Sequence, residues 1–235
     1  MRLPFPAPVA RIADFLIVRC RTMLLAAAAG LLLLAPGEAS AVIAPQLALD
    51  QDALAQLQRI EDSLNAVKTV RSAFRQYAST GENAQGQLYL KRPGRLRVEY
   101  QPPVPVLVVA DGTFLVYYDR KLEQVSHIPL GSTPAGILLD KHLSLADDKL
   151  LVTDYQRVDG TIRVGVTRKD AAGEGSILLI FDEKTASLQQ WAVTDAQGIT
   201  TLVTLVDPAF NVDLDSSLFV FKDPRVGGGF SRDSP

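Results

Sequence analysis

The chain has 235 residues, a formal net charge of −2 and no basic block, which disfavours nucleic acid as a partner. Its one cysteine, Cys20, excludes an intramolecular disulfide framework, and two histidines leave little material for a metal site. Hydrophobic residues make up 47% of the chain, enough to bury a sizeable core.

Residues 1–41 read as a secretory signal peptide. Leu24 to Ala35 is an apolar run of h-region length, well short of the ~20 residues of a membrane span. Arg19 and Arg21 precede it, and Ala39-Ser40-Ala41 supplies a small-x-small cleavage site, so the mature chain is expected to start near Val42. Cys20 lies before the apolar run rather than directly after it, which is not a lipobox arrangement, so a soluble protein is expected. Arg2, Arg11, Arg19 and Arg21 against Asp14 and Glu38 give the leader a net of +2; the whole chain at −2 therefore leaves −4 for the remainder. Residues 42–225 suit one domain of roughly 185 residues. Residues 226–235, beginning Val226-Gly227-Gly228-Gly229, read as a flexible tail.

The domain opens with a helix. Leu54, Leu57, Ile60, Leu64 and Val67 recur at three- and four-residue steps, with Asp50 placed to cap the start. A strand is expected over Val70 to Ala78. Next come Gly86–Tyr100, two alternating strands joined at Pro93-Gly94: Leu88 and Leu90 share one face of the first, and Leu96, Val98 and Tyr100 one face of the second, with Arg95, Arg97 and Glu99 opposite. Val106–Ala110, an Asp111-Gly112 turn, Phe114–Tyr118 and Glu123–Ile128 extend this meander. The pattern breaks at Pro129; Ser132, Thr133 and Pro134 look like a helix entry, with short helices over Ala135–Leu139 and Leu143–Leu145. Strands then resume over Leu150–Arg157, Thr161–Arg168, Ile177–Phe181, Leu188–Thr194 and Ile199–Val206. A last short one is expected over Leu218–Phe221. Turns are legible at Asp159-Gly160, Gly173 to Gly175, Asp182 to Thr185 and Gln197-Gly198. The fold class is mainly β (α+β): about eleven antiparallel strands, mostly in hairpins, with one leading helix and a helical interruption. A sheet of that length must curl, and periodicity leaves a barrel, a sandwich or a half-barrel open.

Catalytic chemistry is not visible. The chain has no Gly-x-Ser-x-Gly, no P-loop and no Gly-x-Gly-x-x-Gly after a strand. His127 and His142 are separated by the helical interruption, and Asp147-Asp148 reads as a solvated turn. Trp191 sits in an alternating strand, as core or as cavity lining. No catalytic residue, metal site or cofactor is expected, and the protein is read as non-enzymatic.

Phe74-x-Gln76, the run Gly86 to Tyr100 with Leu90-Lys91-Arg92-Pro93 at its centre, Asp111-Gly112, Tyr117-Tyr118-Asp119, Leu122 to Val125, Thr133-Pro134 and Asp223-Pro224 occur in an order that resembles the LolA family, close to its alphaproteobacterial branch. The resemblance spans about Leu54 to Arg225. It implies an incomplete antiparallel barrel closed by lid helices, in a soluble periplasmic carrier of acylated lipoproteins. Such a carrier receives its cargo from an inner-membrane ABC releaser and passes it to an outer-membrane acceptor lipoprotein, acting as a monomer. Within it, Leu88, Leu90, Leu96, Val98, Tyr100, Leu107, Val109, Ile137 and Leu138 are expected to line the lipid cavity, and Arg92 to tie its strand to lid carbonyls. Val98 falls where many members have Trp, which makes that wall smaller. The same fold could serve as a carrier or sensor of another amphiphile, such as a glycolipid or polyketide-type lipid.

Overall fold

The computed structural model describes residues 49–145 and 149–225. The expected leader, Asp147-Asp148 and the tail over 226–235 lie outside the described residues. Helix α1 covers Gln51–Ala66, and the Asp50 side chain caps it by accepting the N–H of Ala53 at 2.8 Å. Its buried stripe is Ala53, Leu57, Ile60 and Leu64, whereas Leu54 is 46% exposed. The helix is rolled so that the small Ala53 faces the sheet and the expected Leu54 turns to solvent. Val67 is the extended residue that ends the helix.

Eleven strands follow: β1 (Thr69–Ala78), β2 (Asn83–Lys91), β3 (Arg95–Tyr100), β4 (Val106–Asp111), β5 (Phe114–Asp119), β6 (Gln124–Pro129), β7 (Leu150–Val158), β8 (Thr161–Arg168), β9 (Gly175–Asp182), β10 (Leu188–Asp195) and β11 (Thr200–Phe210). They form one antiparallel sheet in the order β6-β5-β4-β3-β2-β1-β11-β10-β9-β8-β7. The first and last strands are therefore neighbours at the centre, and β6 and β7 are the two edges. The barrel is incomplete. Between those edges runs the segment 130–149, in which Leu130–Ser132 and Pro134–Leu139 are 3-10 turns. Thr133 caps the second by accepting the N–H of Gly136 at 3.1 Å, as its Thr-Pro signature suggests.

Two short elements differ from expectation. Leu143–Leu145 is not helical, because side chains of α1 satisfy its backbone: Asn65 Nδ2 donates to Leu143 O at 2.8 Å, Leu143 N donates to Asn65 Oδ1 at 2.9 Å, and Leu145 N donates to Glu61 Oε2 at 2.8 Å. Leu218–Phe221 is not a strand. The Asp215 carboxylate accepts the N–H of Ser217 and starts a 3-10 turn over Ser216–Phe219, which plants Phe219 in a buried position.

Register sorts the β2–β6 side chains onto two faces. Leu88 pairs with Val98, Val98 with Val108 and Val108 with Tyr117, while Leu90, Leu96, Ala110 and Leu115 form the adjoining row. This concave face packs with α1 and the 134–145 segment into the main core. The opposite, convex face carries Arg97, Val109, Val116 and His127 in one row and Glu99, Leu107 and Tyr118 in the next. The chain after β11 covers it. Lys91 Nζ donates to Leu214 O at 3.0 Å, the Arg97 guanidinium donates to Leu218 O at 3.1 Å, and the rings of Tyr118 and Phe221 meet at 5.6 Å.

Candidate functional site: a lidded apolar cavity

On the concave side lies a cavity of about 240 Å³. Leu64 and Val67 form its helix wall, Val70, Leu88 and Leu90 one side of the sheet, Leu188, Trp191, Leu205 and Phe210 the other, and Leu138 the roof. Ser63, Ala66, Ser187 and Arg92 complete the lining. A pocket with so few polar groups can favour hydrocarbon and can orient little else. An engineered apolar cavity of ~150 Å³ takes benzene, so this one admits a short stretch of acyl chain but not several whole chains.

The roof is held by hydrogen bonds as well as by packing. Arg92 Nε donates to Leu138 O at 2.8 Å, and one terminal guanidinium nitrogen donates to Leu64 O at 2.6 Å, so one side chain bridges lid and helix. Burial pushes the Arg92 guanidinium below its ordinary pKa, with the Asp140 carboxylate acting the other way; an arginine nonetheless stays charged. Beside it Gly94 N donates to Leu139 O at 2.8 Å. Gly94 has φ of +74°, and a Cβ there would approach Gly112 Cα to 2.7 Å, so only glycine allows the β2–β3 turn to reach the lid. At the other side Arg168 lies 3.5 Å from Asp140. The reciprocal Asn65–Leu143 bonds and the Glu61–Leu145 bond extend the closure to α1.

Residues 65–222 match the family model described as "Outer membrane lipoprotein carrier protein LolA". The chain belongs to the LolA family. It is similar to the outer-membrane lipoprotein carrier proteins of Halorhodospira halophila (31% identical, covering 78% of this chain and 89% of that one) and Legionella pneumophila strain Corby (32% identical, covering 71% and 85%). A LolA superfamily protein from Nitrosomonas europaea of known structure is 12% identical, with a TM-score of 0.41 over 70% of this chain and 97% of that one.

Of the side chains that the LolA resemblance nominated for the cavity, Leu88, Leu90 and Leu138 line it, and Arg92 sits at its edge. Leu96, Val98 and Tyr100 share the concave face but pack into core beyond it. Tyr100 stands edge-on to Phe74 at 5.3 Å and donates its hydroxyl to Gln76 Oε1 at 2.8 Å. That ring approaches closely because Gly86 lies between: a Cβ there would come within 2.9 Å of Phe74 Cε1. Ile137 is buried in the lid and is not among the lining residues. Leu107 and Val109 are a correction. Their register with Glu99 and Arg97 puts them on the convex face, buried away from the cavity. The continuous apolar run Val106–Ala110 hid this, because both faces of β4 are covered. Leu64, Val67, Val70, Leu188, Leu205 and Phe210 were missed as lining, since nothing local reveals that β11 lies beside β1. Trp191 was open between core and lining, and is both buried and lining. Among the described residues no group of three or more His, Cys, Asp or Glu side chains could hold a metal ion, and no helix is long and apolar enough to cross a membrane.

Proposed function

We propose that this protein is a non-enzymatic periplasmic carrier that shelters lipoprotein acyl chains in the lidded cavity. It accepts them from an inner-membrane ABC releaser and yields them to an outer-membrane acceptor lipoprotein, working as a monomer once its leader is removed after Ala41. The observation that carries the reading is an apolar cavity whose roof is tied down by a few separable hydrogen bonds. Family membership and the carrier relatives support it.

The energetics suit transport. About six sheltered methylenes contribute about 5 kcal/mol, at ~0.8 kcal/mol each. The closed cavity of about 240 Å³ is too small for a triacylated anchor, so loading requires the 134–145 segment to swing away. Breaking the Arg92, Gly94 and Asn65 bonds lowers net affinity, which favours hand-off. The test is purification without detergent followed by native mass spectrometry, with a photo-crosslinker at Leu205 to hold cargo. Acylated lipoproteins crosslinked there support the reading. A glycolipid or polyketide-type lipid in their place would move the protein to carriage of another amphiphile. No crosslink, where a known carrier loads, would make the cavity a packing defect.

A further inference from the structure

Beyond the Arg92 edge of the cavity lies a second, polar groove. It runs between the tips of the β2–β3 and β4–β5 hairpins, has a volume of about 490 Å³, and is lined by Lys91, Arg92, Arg95, Asp111 and the turn backbones at Pro93-Gly94 and Gly112-Thr113. Arg92 belongs to both linings. The groove continues through Arg95 and Asp111 into a cleft that reaches His127.

Its charges are poorly balanced. Arg95 is partly buried, yet among the described residues its guanidinium has neither a hydrogen-bond acceptor nor an ion-pair partner. Lys91 Nζ reaches only neutral oxygens, Leu214 O and Ser216 Oγ. Arg92 reaches only the carbonyls of Leu138 and Leu64. The single anion of the lining, Asp111, stands opposite Arg95 in register but forms no ion pair with it. Asp111 Oδ1 instead accepts the N–H groups of Thr113 and Phe114 at 2.8 and 2.9 Å. Asp140 lies within electrostatic reach of Arg92 and Asp215 within that of Lys91, so Arg95 is the cation of the groove without a counter-charge, facing a carboxylate committed to its own turn. A partly desolvated guanidinium favours an anionic partner, ideally one offering two oxygens.

We infer that this groove binds an anion, carboxylate or phosphate, carried at the polar end of the acylated ligand whose chains occupy the neighbouring cavity. The inference rests on the carrier reading and adds a charge preference to it. Opening the lid removes Leu138 O from Arg92, and an incoming anion supplies the acceptor it loses. Arg95 and Lys91, paired in register on the convex side of the same hairpin, then hold the remainder of the polar end where it bends around the tip. A neutral or cationic polar end leaves Arg95 uncompensated.

The test is a titration followed by the fluorescence of Trp191, the only tryptophan of the chain and a lining residue of the cavity. The chain, expressed with its leader, is titrated with diacylated lipopeptides whose acylated cysteine is followed by two aspartates or two asparagines. Phosphatidylglycerol and phosphatidylcholine of matched acyl chains form the second arm. The anionic member of at least one pair should bind about tenfold more tightly, the combined scale of two partly exposed ion pairs. The arm showing the preference identifies the source, peptide carboxylate or lipid phosphate. Arg95→Gln, which breaks no bond of the fold, should remove most of the preference, and 0.5 M salt should reduce it. Equal binding within both pairs, or an undiminished preference in Arg95→Gln, overturns the groove assignment while leaving the carrier reading intact. Failure of all four ligands to bind sinks the carrier reading itself.

Discussion

Replacing Arg92 by Leu isolates the hydrogen bonds that hold the lid from the hydrocarbon contacts beneath it. The substitution deletes donors to Leu138 O and Leu64 O at 2.8 and 2.6 Å while keeping an apolar stem beside the cavity. Hydrogen bonds to a charged group are worth about 1.5–3 kcal/mol each, and the desolvation cost of the buried guanidinium offsets part of that. A net loss of about 2–3 kcal/mol from the closed lid, relative to the open one, is the expectation. That is about 30- to 150-fold in the closed-to-open ratio. Two readouts follow. Amide hydrogen exchange over Gly136–Leu143 should accelerate by that factor, while β1 and β11 at the sheet centre are unaffected. Apparent affinity for an acylated ligand with a neutral polar end, read from Trp191, should tighten until the open form predominates, since binding no longer works against closure. Release to an acceptor should slow accordingly. Unchanged exchange in the lid segment would refute the reasoning, because it would mean that packing of Ile137, Leu138 and Leu139 alone sets the closure. Arg92→Lys, which keeps the charge but loses the fixed fork, should fall between the two.

Asn65→Ala removes the reciprocal bonds to Leu143; a stability loss of about 1–2 kcal/mol in urea unfolding is expected, with faster exchange at Leu143. Leu205→Phe should fill part of the cavity and weaken acyl binding with little change in Tm, and undiminished binding would remove Leu205 from the ligand's path. Asp50→Ala strips the cap of α1 and should cost about 1 kcal/mol by thermal unfolding. Burial pushes the Tyr100 phenol up to about 12. The unfolded phenol ionises near 10, so this contribution is complete below pH ~10 and is lost as pH rises towards ~12. Alkaline unfolding should therefore be shallower in Tyr100→Phe, and an identical alkaline limb in both proteins would contradict the assignment.

Sequence reading goes furthest where one face of an element is wet. The hairpin Gly86–Tyr100 alternates cleanly because the concave face is core and much of the convex face carries Arg95, Arg97 and Glu99; its register and turn follow directly. Thr161–Arg168 was bounded to the residue for a related reason, since Asp159-Gly160 fixes the turn before it. Legibility fails where both faces are covered. Nothing local distinguishes Leu107 from Val108 on β4, although one faces outward and the other inward. It fails again where capping competes with periodicity, as at Asp215, whose carboxylate diverts Leu218–Phe221 from a strand. The cavity was half legible. The β2 wall and Leu138 came from the resemblance, whereas the opposite wall depends on β1 lying beside β11, a pairing that no turn signal announces.

That central pairing also constrains how the chain matures. Strands β2 to β6 and β7 to β10 can zip up as successive hairpins between near neighbours in sequence, but joining the two halves brings together residues such as Ser72 and Val206, 134 positions apart. Loop-closure entropy makes such a seam slow to form and places it late. A chain emerging amino end first therefore holds two half-sheets with bare apolar faces until Thr200–Phe210 arrives. The last strand to appear completes the far wall of the cavity with Leu205 and Phe210. Until then the protein is itself a client in need of shelter rather than a provider of it.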